Sequence, residues 1–401
     1  MKGRGKALLL DKIHPVAADN LNAAGYEVKT YDSLEGQALA EALTDIQILG
    51  IRSKSQITKE ILMAAEQLQA IGAFGIGTNQ IDIKTASAKG VAVFNAPYGN
   101  ARSVVELAIA HIFALLRCSF DRSMEMHQGK WNKKSVNSHE VRGKLLGIVG
   151  YGNIGSQLSV LAEAVGMKVI YYDLIDRLSH GNATSCSSLN ELLKEADIVS
   201  LHIDGGKGNE QLMGEKEFSL MKKGALFLNL SRGTLVDIAA LVKAIKSGRL
   251  GGAAIDAFPT EPKTSPADFK TPLQGLDNVI LTPHLGGSTE EAQRNIARYV
   301  PRLLLEYMHT GSTFGSVNLP NVRLSPIKDT HRMLHIHQNV PGMLAAINRS
   351  LANNGCNVLA QHLKTSDELG YVISDIDKTY KKGVVEELMN IEHTVKLRIL
   401  S

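Results

Sequence analysis

The chain of 401 residues is 44% hydrophobic and 21% charged, with a formal net charge of +4. Such a length predicts two or three domains with ample apolar material for their cores. So small a charge, without a long run of Lys or Arg, gives no support to binding of nucleic acid or of a membrane surface. The three cysteines, Cys118, Cys186 and Cys356, are odd in number, far apart and without a C-x-x-C. That argues against a disulfide framework and a structural zinc site, and for a reduced, cytoplasmic protein. No apolar stretch approaches transmembrane length. The basic start "MKGRGKALLLDK" has too short an apolar run for a signal peptide and reads as a buried first strand.

Short apolar runs alternate with amphipathic stretches, the pattern of strands joined by crossover helices in an α/β protein. Within the first hundred residues "KALLL", "EVKTY", "IQILGI", "LQAIGAFG" and "VAVFNAP" predict strands, with helices such as "VAADNLNAAG" between them. The segment "SVVELAIAHIFALLR", Ser103 to Arg117, is apolar almost all round and predicts a buried helix. A second α/β unit opens at "KLLGIVGYGNIGSQ" and runs to "VILTPHLGG" near Gly287. A long helix and a proline-containing linker, "STFGSVNLPNVRLSPIKD", come next. From about Thr330 the order reads β-α-β-β-α-β, a small ferredoxin-like unit.

In the second unit an apolar strand runs straight into Gly150-x-Gly152-x-x-Gly155, then into an amphipathic helix and a second strand tipped by Asp173. The first glycine makes the tight turn, the second lets backbone amides approach a pyrophosphate, and the third lets helix pack on strand. A carboxylate about 20 residues further on suits the adenosine ribose hydroxyls. Strand, glycines, helix, strand and acid in that order predict a dinucleotide site, against the alternative of a glycine-rich turn in some other βαβ unit. Asp173 would repel a 2′-phosphate and so favours NAD over NADP, with Arg177 nearby as the counter-indication.

Three features downstream lie at predicted strand carboxyl ends, where open α/β sheets bind ligands. "FLNLSRGTLVD" carries Arg232, "AAIDAFPTEP" carries Asp256 and Glu261, and "VILTPHLGGST" carries His284. These residue types suit hydride transfer on a hydroxy acid. An arginine holds a carboxylate in a bidentate fork, a histidine takes the hydroxyl proton, and a glutamate bonded to that imidazole fixes its tautomer and raises its pKa. Taken singly, Arg232 reads equally as a helix-edge ion pair, Glu261 as a solvated loop residue and His284 as one of thirteen histidines. "GIRSKSQIT" and "YGNARS" offer Arg52, Lys54, Asn100 and Arg102 as polar groups for a phosphate, or as ordinary solvated ends.

In the C-terminal unit "RMLHIH" alternates, with Leu334 and Ile336 on one face and His335 and His337 on the other. A metal site would need a third ligand at useful spacing, and none follows. The plain expectation is a pair of histidines on a half-exposed sheet face.

"GYGNIGSQ", "LNLSRGTLVD", "AAIDAFPTEP" and "LTPHLGGSTEEAQ" resemble the D-isomer-specific 2-hydroxyacid dehydrogenases, with Arg, Glu and His in that family's order. "AIGAFGIGTNQIDI", "VFNAPYGNARSVVELAIAHI", "GKWNK" and the C-terminal unit extend the resemblance to the short, ACT-bearing branch that acts on D-3-phosphoglycerate. The resemblance implies a flavodoxin-like substrate domain, 1–100 with a return helix and linker at 288–326, interrupted by a Rossmann-like NAD domain at 101–287. An ACT domain at 327–401 completes it, and the active site lies in the cleft between the first two. It implies Arg232 as carboxylate clamp, Glu261 as the partner of His284, and His284 as acid/base. Cofactor positions then fall, beyond the glycines and Asp173, on Asn153, Ile154, Leu230, Ser231, Arg232, Asp256, His284, Gly286 and Gly287, and substrate positions on Arg52, Ser53, Asn100 and Arg232. The implied reaction is NAD-dependent oxidation of D-3-phosphoglycerate to 3-phosphooxypyruvate, which opens L-serine biosynthesis, in a homo-oligomer, a tetramer. Trp131 is implied to contact a neighbouring subunit. L-serine is the implied feedback effector, held by His337, Asn339 and Asn357. One departure stands out: where the family usually places a proline after "VSLHI", this chain has Asp204. The alternatives are another 2-hydroxy acid, such as glycerate or 2-hydroxyglutarate, and a non-enzymatic NAD-sensing protein on the same fold.

Overall fold

The computed structural model describes residues 4–206, 208–262, 267–380 and 383–400, so 1–3 of the basic N-terminal stretch lie outside it. The chain forms two compact units, Met1–Gly99 with Gln293–Ser401, and Asn100–Ala292.

The first unit contains a parallel sheet of β1 (Gly5–Leu9), β2 (Tyr26–Thr30), β3 (Ile48–Ile51), β4 (Ala70–Ala73) and β5 (Ala92–Phe94), in the flavodoxin-like order β2-β1-β3-β4-β5. The strands β3, β4 and β5 are apolar and buried throughout because both faces are covered, whereas the edge strand β2 exposes Glu27 and Lys29. Ala7, Leu9 and Ile48 enter one core while Leu8, Leu49 and Ile51 enter the other, as a side-chain period of two requires.

The second unit is a parallel sheet of seven strands: β6 (Leu145–Val149), β7 (Lys168–Tyr172), β8 (Thr184–Ser185), β9 (Ile198–Leu201), β10 (Ala225–Asn229), β11 (Leu250–Ile255) and β12 (Val279–Leu281). Their order, β12-β11-β10-β9-β6-β7-β8, is the doubly wound Rossmann arrangement, with its switch point between β6 and β9. The apolar segment Ala101–Leu116 is a helix of this unit, and its Val105, Ala108, Ile112 and Leu115 pack in one core with Ile148, Leu228 and Ala254. No single helix among the described residues is long and apolar enough to cross a membrane.

The C-terminal sheet consists of β13 (His331–Gln338), β14 (Val358–Thr365), β15 (Leu369–Ile376) and β16 (Thr394–Leu400), antiparallel in the order β14-β15-β13-β16. With the helices Met343–Asn353 and Val384–Met389 this is the expected ferredoxin-like unit. On its helix-free face the central strands do not meet water, whereas at the edge His362 and Lys364 of β14, opposite Ile373 and Tyr371, are exposed. Leu334, Ile336, Tyr371 and Ile373 join Leu9, Phe94, Leu304 and Tyr307 in one core, so this sheet is built into the first unit. It also completes the long helix Glu290–Thr310, whose terminal carbonyls lack intrahelical partners. Arg398 donates to Met308 O at 3.3 Å, Arg332 to Thr310 O at 2.8 Å, and the Tyr371 hydroxyl to Gly311 O at 2.6 Å.

The expectation of half-exposed histidines is corrected here: His335 and His337 are each only 2% exposed. They alternate onto the face covered by the two helices, where Met333 and Val372 pack with Ile347, Leu351 and Val384. His335 Nε2 lies 2.8 Å from Thr394 Oγ1, while its Nδ1 is buried without a partner among the described residues. Burial, with the neighbouring His337, pushes its pKa from 6.5 down to about 4. A folded-state pKa below the unfolded value means that the unfolded chain takes up the proton first. Stability present above about pH 6.5 is therefore lost as pH falls toward 4, by roughly 3 kcal/mol for such a shift. In chemical denaturation at both pH values, His335→Leu is expected to flatten that slope by about this amount. Identical slopes in the two proteins would refute the buried neutral imidazole.

Candidate active site

The turn after β6 is built around its glycines. Gly150 has φ +91, a conformation that side chains disfavour, and Gly155 presses so closely on the Gly150 carbonyl and Ile148 that a Cβ there would collide. Around Gly152, the residue before the helix Asn153–Ala164, no atom lies within 4 Å of where a Cβ would stand. That open space at a helix N-terminus is where backbone amides receive a pyrophosphate, with Asn153 and Ile154 in the first turn. Asp173, just past β7, accepts from Tyr151 N at 2.8 Å and Ile175 N at 3.0 Å, so the acid is tied to the glycine turn itself. Arg177 Nε stands 3.5 Å from the same carboxylate and pairs with it. These residues fit NAD. The departure after β9 forms a loop closed on itself, with Asp204 Oδ1 accepting from Gly206 N and Asn209 Nδ2, both at 3.1 Å.

The carboxyl ends of β10, β11 and β12 carry the other groups. Leu230 and Ser231 are buried, and the Ser231 hydroxyl donates to Leu201 O at 2.6 Å. Asn229, fully buried at the end of an apolar strand, shapes the next turn: its Oδ1 accepts from Ser231 N at 3.1 Å and its Nδ2 donates to Arg232 O at 2.8 Å. Gly233 follows with no room for a side chain, because its backbone lies against that of Phe258 and Pro259. That close approach brings the Arg232 turn onto the loop bearing Glu261. Arg232 Nη1 donates to Ser231 O at 2.9 Å, and among the described residues its guanidinium has no carboxylate in ion-pair contact. Its fork is thus available to an anion.

Glu261 and His284 meet directly, with His284 Nδ1 2.9 and 2.8 Å from the two carboxylate oxygens. Glu261 Oε1 also accepts from Phe258 N at 2.9 Å, which fixes the carboxylate. The hydrogen bond to Glu261 raises the His284 pKa above 6.5; burial opposes it, and the charges of Glu261 and Asp256 add to it. Burial pushes Glu261 up, but the His284 and Phe258 hydrogen bonds and the nearby cations leave it below its ordinary value. Asp256, 1% exposed, turns its carboxylate onto the His284 loop, accepting from Thr282 Oγ1, Leu285 N and Gly286 N. Gly287 packs against the Asn100 amide, whose Oδ1 is buried without a partner among the described residues.

In the other unit Arg52 and Ser53 follow β3. Arg52 is half-buried; burial lowers its pKa and Asp11 opposes that shift. Asp11, which the sequence reading passed over, holds this loop by accepting from Arg52 N at 2.8 Å, Ser55 N at 3.1 Å and Ser55 Oγ at 2.7 Å. An acid ending the apolar run "LLLD" was the available signal. Of the effector positions, His337 is buried with Nδ1 2.7 Å from Gln338 O, and Asn339 is exposed and donates to Ser366 O at 2.8 Å. Asn357 is exposed just before β14. Among the described residues no group of three or more His, Cys, Asp or Glu is placed to hold a metal ion.

Residues 109–286 match the family model described as D-isomer specific 2-hydroxyacid dehydrogenase, NAD binding domain. Over its whole length the chain is 45% identical to the D-3-phosphoglycerate dehydrogenase of Haemophilus influenzae, covering 98% of that protein. It is likewise 45% identical, over 100% of the chain and 98% of the relative, to the protein of that name from Dictyostelium discoideum. Among solved structures, the D-lactate dehydrogenase of Aquifex aeolicus complexed with NAD and lactic acid superposes with a TM-score of 0.68 at 26% identity. That match covers 79% of this chain and 100% of the other.

Proposed function

This chain belongs to the D-isomer-specific 2-hydroxyacid dehydrogenases and is an NAD-dependent oxidoreductase, and we propose that it oxidises D-3-phosphoglycerate to 3-phosphooxypyruvate. The observation that carries the chemistry is the His284–Glu261 pair beside an arginine without a carboxylate partner, at the strand ends of the nucleotide domain. Arg232 grips the substrate carboxylate in its fork. Glu261 holds Nδ1 protonated, which leaves Nε2 as the free base that takes the C2 hydroxyl proton. NAD, when bound, supplies the acceptor for the hydride leaving C2. In the reverse direction the imidazolium returns the proton to the carbonyl oxygen. The full-length similarity to phosphoglycerate dehydrogenases supports the substrate, as does the half-buried Arg52, whose guanidinium makes no hydrogen bond or ion pair among the described residues.

The test is NADH formation with D-3-phosphoglycerate beside D-glycerate and D-2-hydroxyglutarate. Arg52→Ala is expected to raise KM for the phosphorylated substrate about 10- to 100-fold, the loss of a charge-assisted phosphate contact, and to change KM for the others little. Equal losses on all three would remove the phosphate assignment, and no turnover on any would favour the NAD-sensing alternative.

We further assign the C-terminal sheet domain as an ACT domain that binds L-serine at His337, Asn339 and Asn357 and inhibits the enzyme, in a cytoplasmic homotetramer. Free cysteines support the compartment, and exposed apolar groups such as Trp131, Met124 and Leu359 support assembly. Imidazole and amide groups offer the donors and acceptors that a carboxylate, an ammonium and a hydroxyl require. Asn339→Ala should abolish serine inhibition without changing the uninhibited rate. Inhibition that survives the change would sink this site.

A further inference from the structure

His284 occupies a backbone conformation that a histidine does not adopt freely. Its φ is +51, in the left-handed region, where a non-glycine residue carries a local cost. Something must hold it there, and the hydrogen bonds around it identify what. The Asp256 carboxylate sits at the end of β11, 1% exposed, and the segment from Thr282 to Gly286 wraps around it. Oδ1 accepts from the Thr282 hydroxyl at 2.6 Å and from Leu285 N at 2.9 Å, and Oδ2 accepts from Gly286 N at 2.9 Å. Thr282 N is anchored in turn on Ile255 O at 3.1 Å, and His284 N donates to Thr282 O at 3.0 Å. His284 is thus the crest of a loop gripped on both flanks by one buried carboxylate, and among the described residues Glu261 alone grips its side chain.

We propose that Thr282 is a positioning residue for proton transfer, its hydroxyl orienting the Asp256 carboxylate so that the latter locks His284 in the left-handed turn that aims its imidazole. The inference rests on the assignment of His284 as acid/base. Of the three donors on Asp256, the hydroxyl is the only side chain. The two amides follow the loop wherever it goes, whereas Thr282 is fixed on β11 through its own backbone. Removing the hydroxyl leaves a carboxylate free to rotate and a strained turn free to relax. A displacement of about 1 Å at a reacting group is enough to cost catalysis up to roughly 100-fold.

The test compares Thr282→Ala, Thr282→Val and Thr282→Ser in the full-length protein, with His284→Asn alongside. Ala and Val are expected to lower kcat about tenfold, with a smaller change in KM for NAD, and Ser to restore kcat to within about twofold. A second readout is one that a purely structural role would not move. Among the described residues the ionisable groups facing His284 are Glu261, Asp256 and Arg232. An imidazole turned away from Glu261 loses its main support, so the acid limb of kcat/KM in Ala and Val should move down in pH. Unchanged kcat in both, a Ser variant as slow as Val, or a raised KM for NAD with kcat intact would each overturn the role of Thr282. Retained activity in His284→Asn would instead overturn the acid/base assignment beneath it.

Discussion

Replacing His284 with asparagine is expected to lower kcat for hydroxy-acid oxidation by about 10²- to 10⁴-fold, the usual worth of a positioned general base, while KM for NAD stays within about twofold. Asparagine is the informative choice because it tolerates the left-handed backbone at this position better than other residues do. The turn therefore survives and only the proton acceptor is lost. Glu261→Gln is expected to cost less than His284→Asn, because the base remains but its tautomer is no longer fixed by a carboxylate 2.8 Å from Nδ1. A full-speed His284→Asn enzyme would show that the proton leaves by another route.

The second large effect concerns stability. Arg332, 4% exposed, pairs with Asp375, 0% exposed, through two parallel hydrogen bonds of 2.6 Å. Its remaining donors reach Thr310 O, Leu324 O and Ser325 O at 2.8 to 2.9 Å. One guanidinium thus ties the C-terminal sheet to the end of the long helix and to the linker. Arg332→Met is expected to destabilise the first unit by about 3–5 kcal/mol, because it strands a buried carboxylate and three carbonyls. Adding Asp375→Leu should recover a substantial part of the loss, since the uncompensated charge is then gone. Denaturation midpoints for the two single variants and the double variant measure this directly, and additive losses would contradict a coupled pair.

Much of this was legible in the sequence for definite reasons. The strand-glycine-helix-strand-acid series around Gly150 and Asp173 leaves one geometry open, and strands buried on both faces announce themselves as continuous apolar runs such as "ALFL". The ferredoxin-like pattern at the C-terminus was equally plain from alternation. What alternation cannot tell is what covers each face of a sheet. His335 and His337 were therefore expected half-exposed, although helices lie over them and the opposite face joins the core of the first unit. The residues that hold the site were also missed. Asp11 and Thr282 act on partners distant in sequence, the Arg52 loop and the Asp256 carboxylate, while Asn229 shapes the turn that follows it, and a single polar residue at a strand end carries no spacing from which its partner can be inferred.

The pH dependence of kcat/KM, measured in both directions, tests most directly the claim that His284, supported by Glu261, carries the proton. Glu261 raises the His284 pKa above 6.5, and the base form is needed for oxidation and the acid form for reduction. Oxidation of D-3-phosphoglycerate should therefore fall as pH drops through that raised value, and reduction of the keto acid should fall as pH rises through it. In Glu261→Gln both limbs should move down in pH together. Limbs that stay in place in Glu261→Gln, or that run in the same sense in both directions, would contradict it.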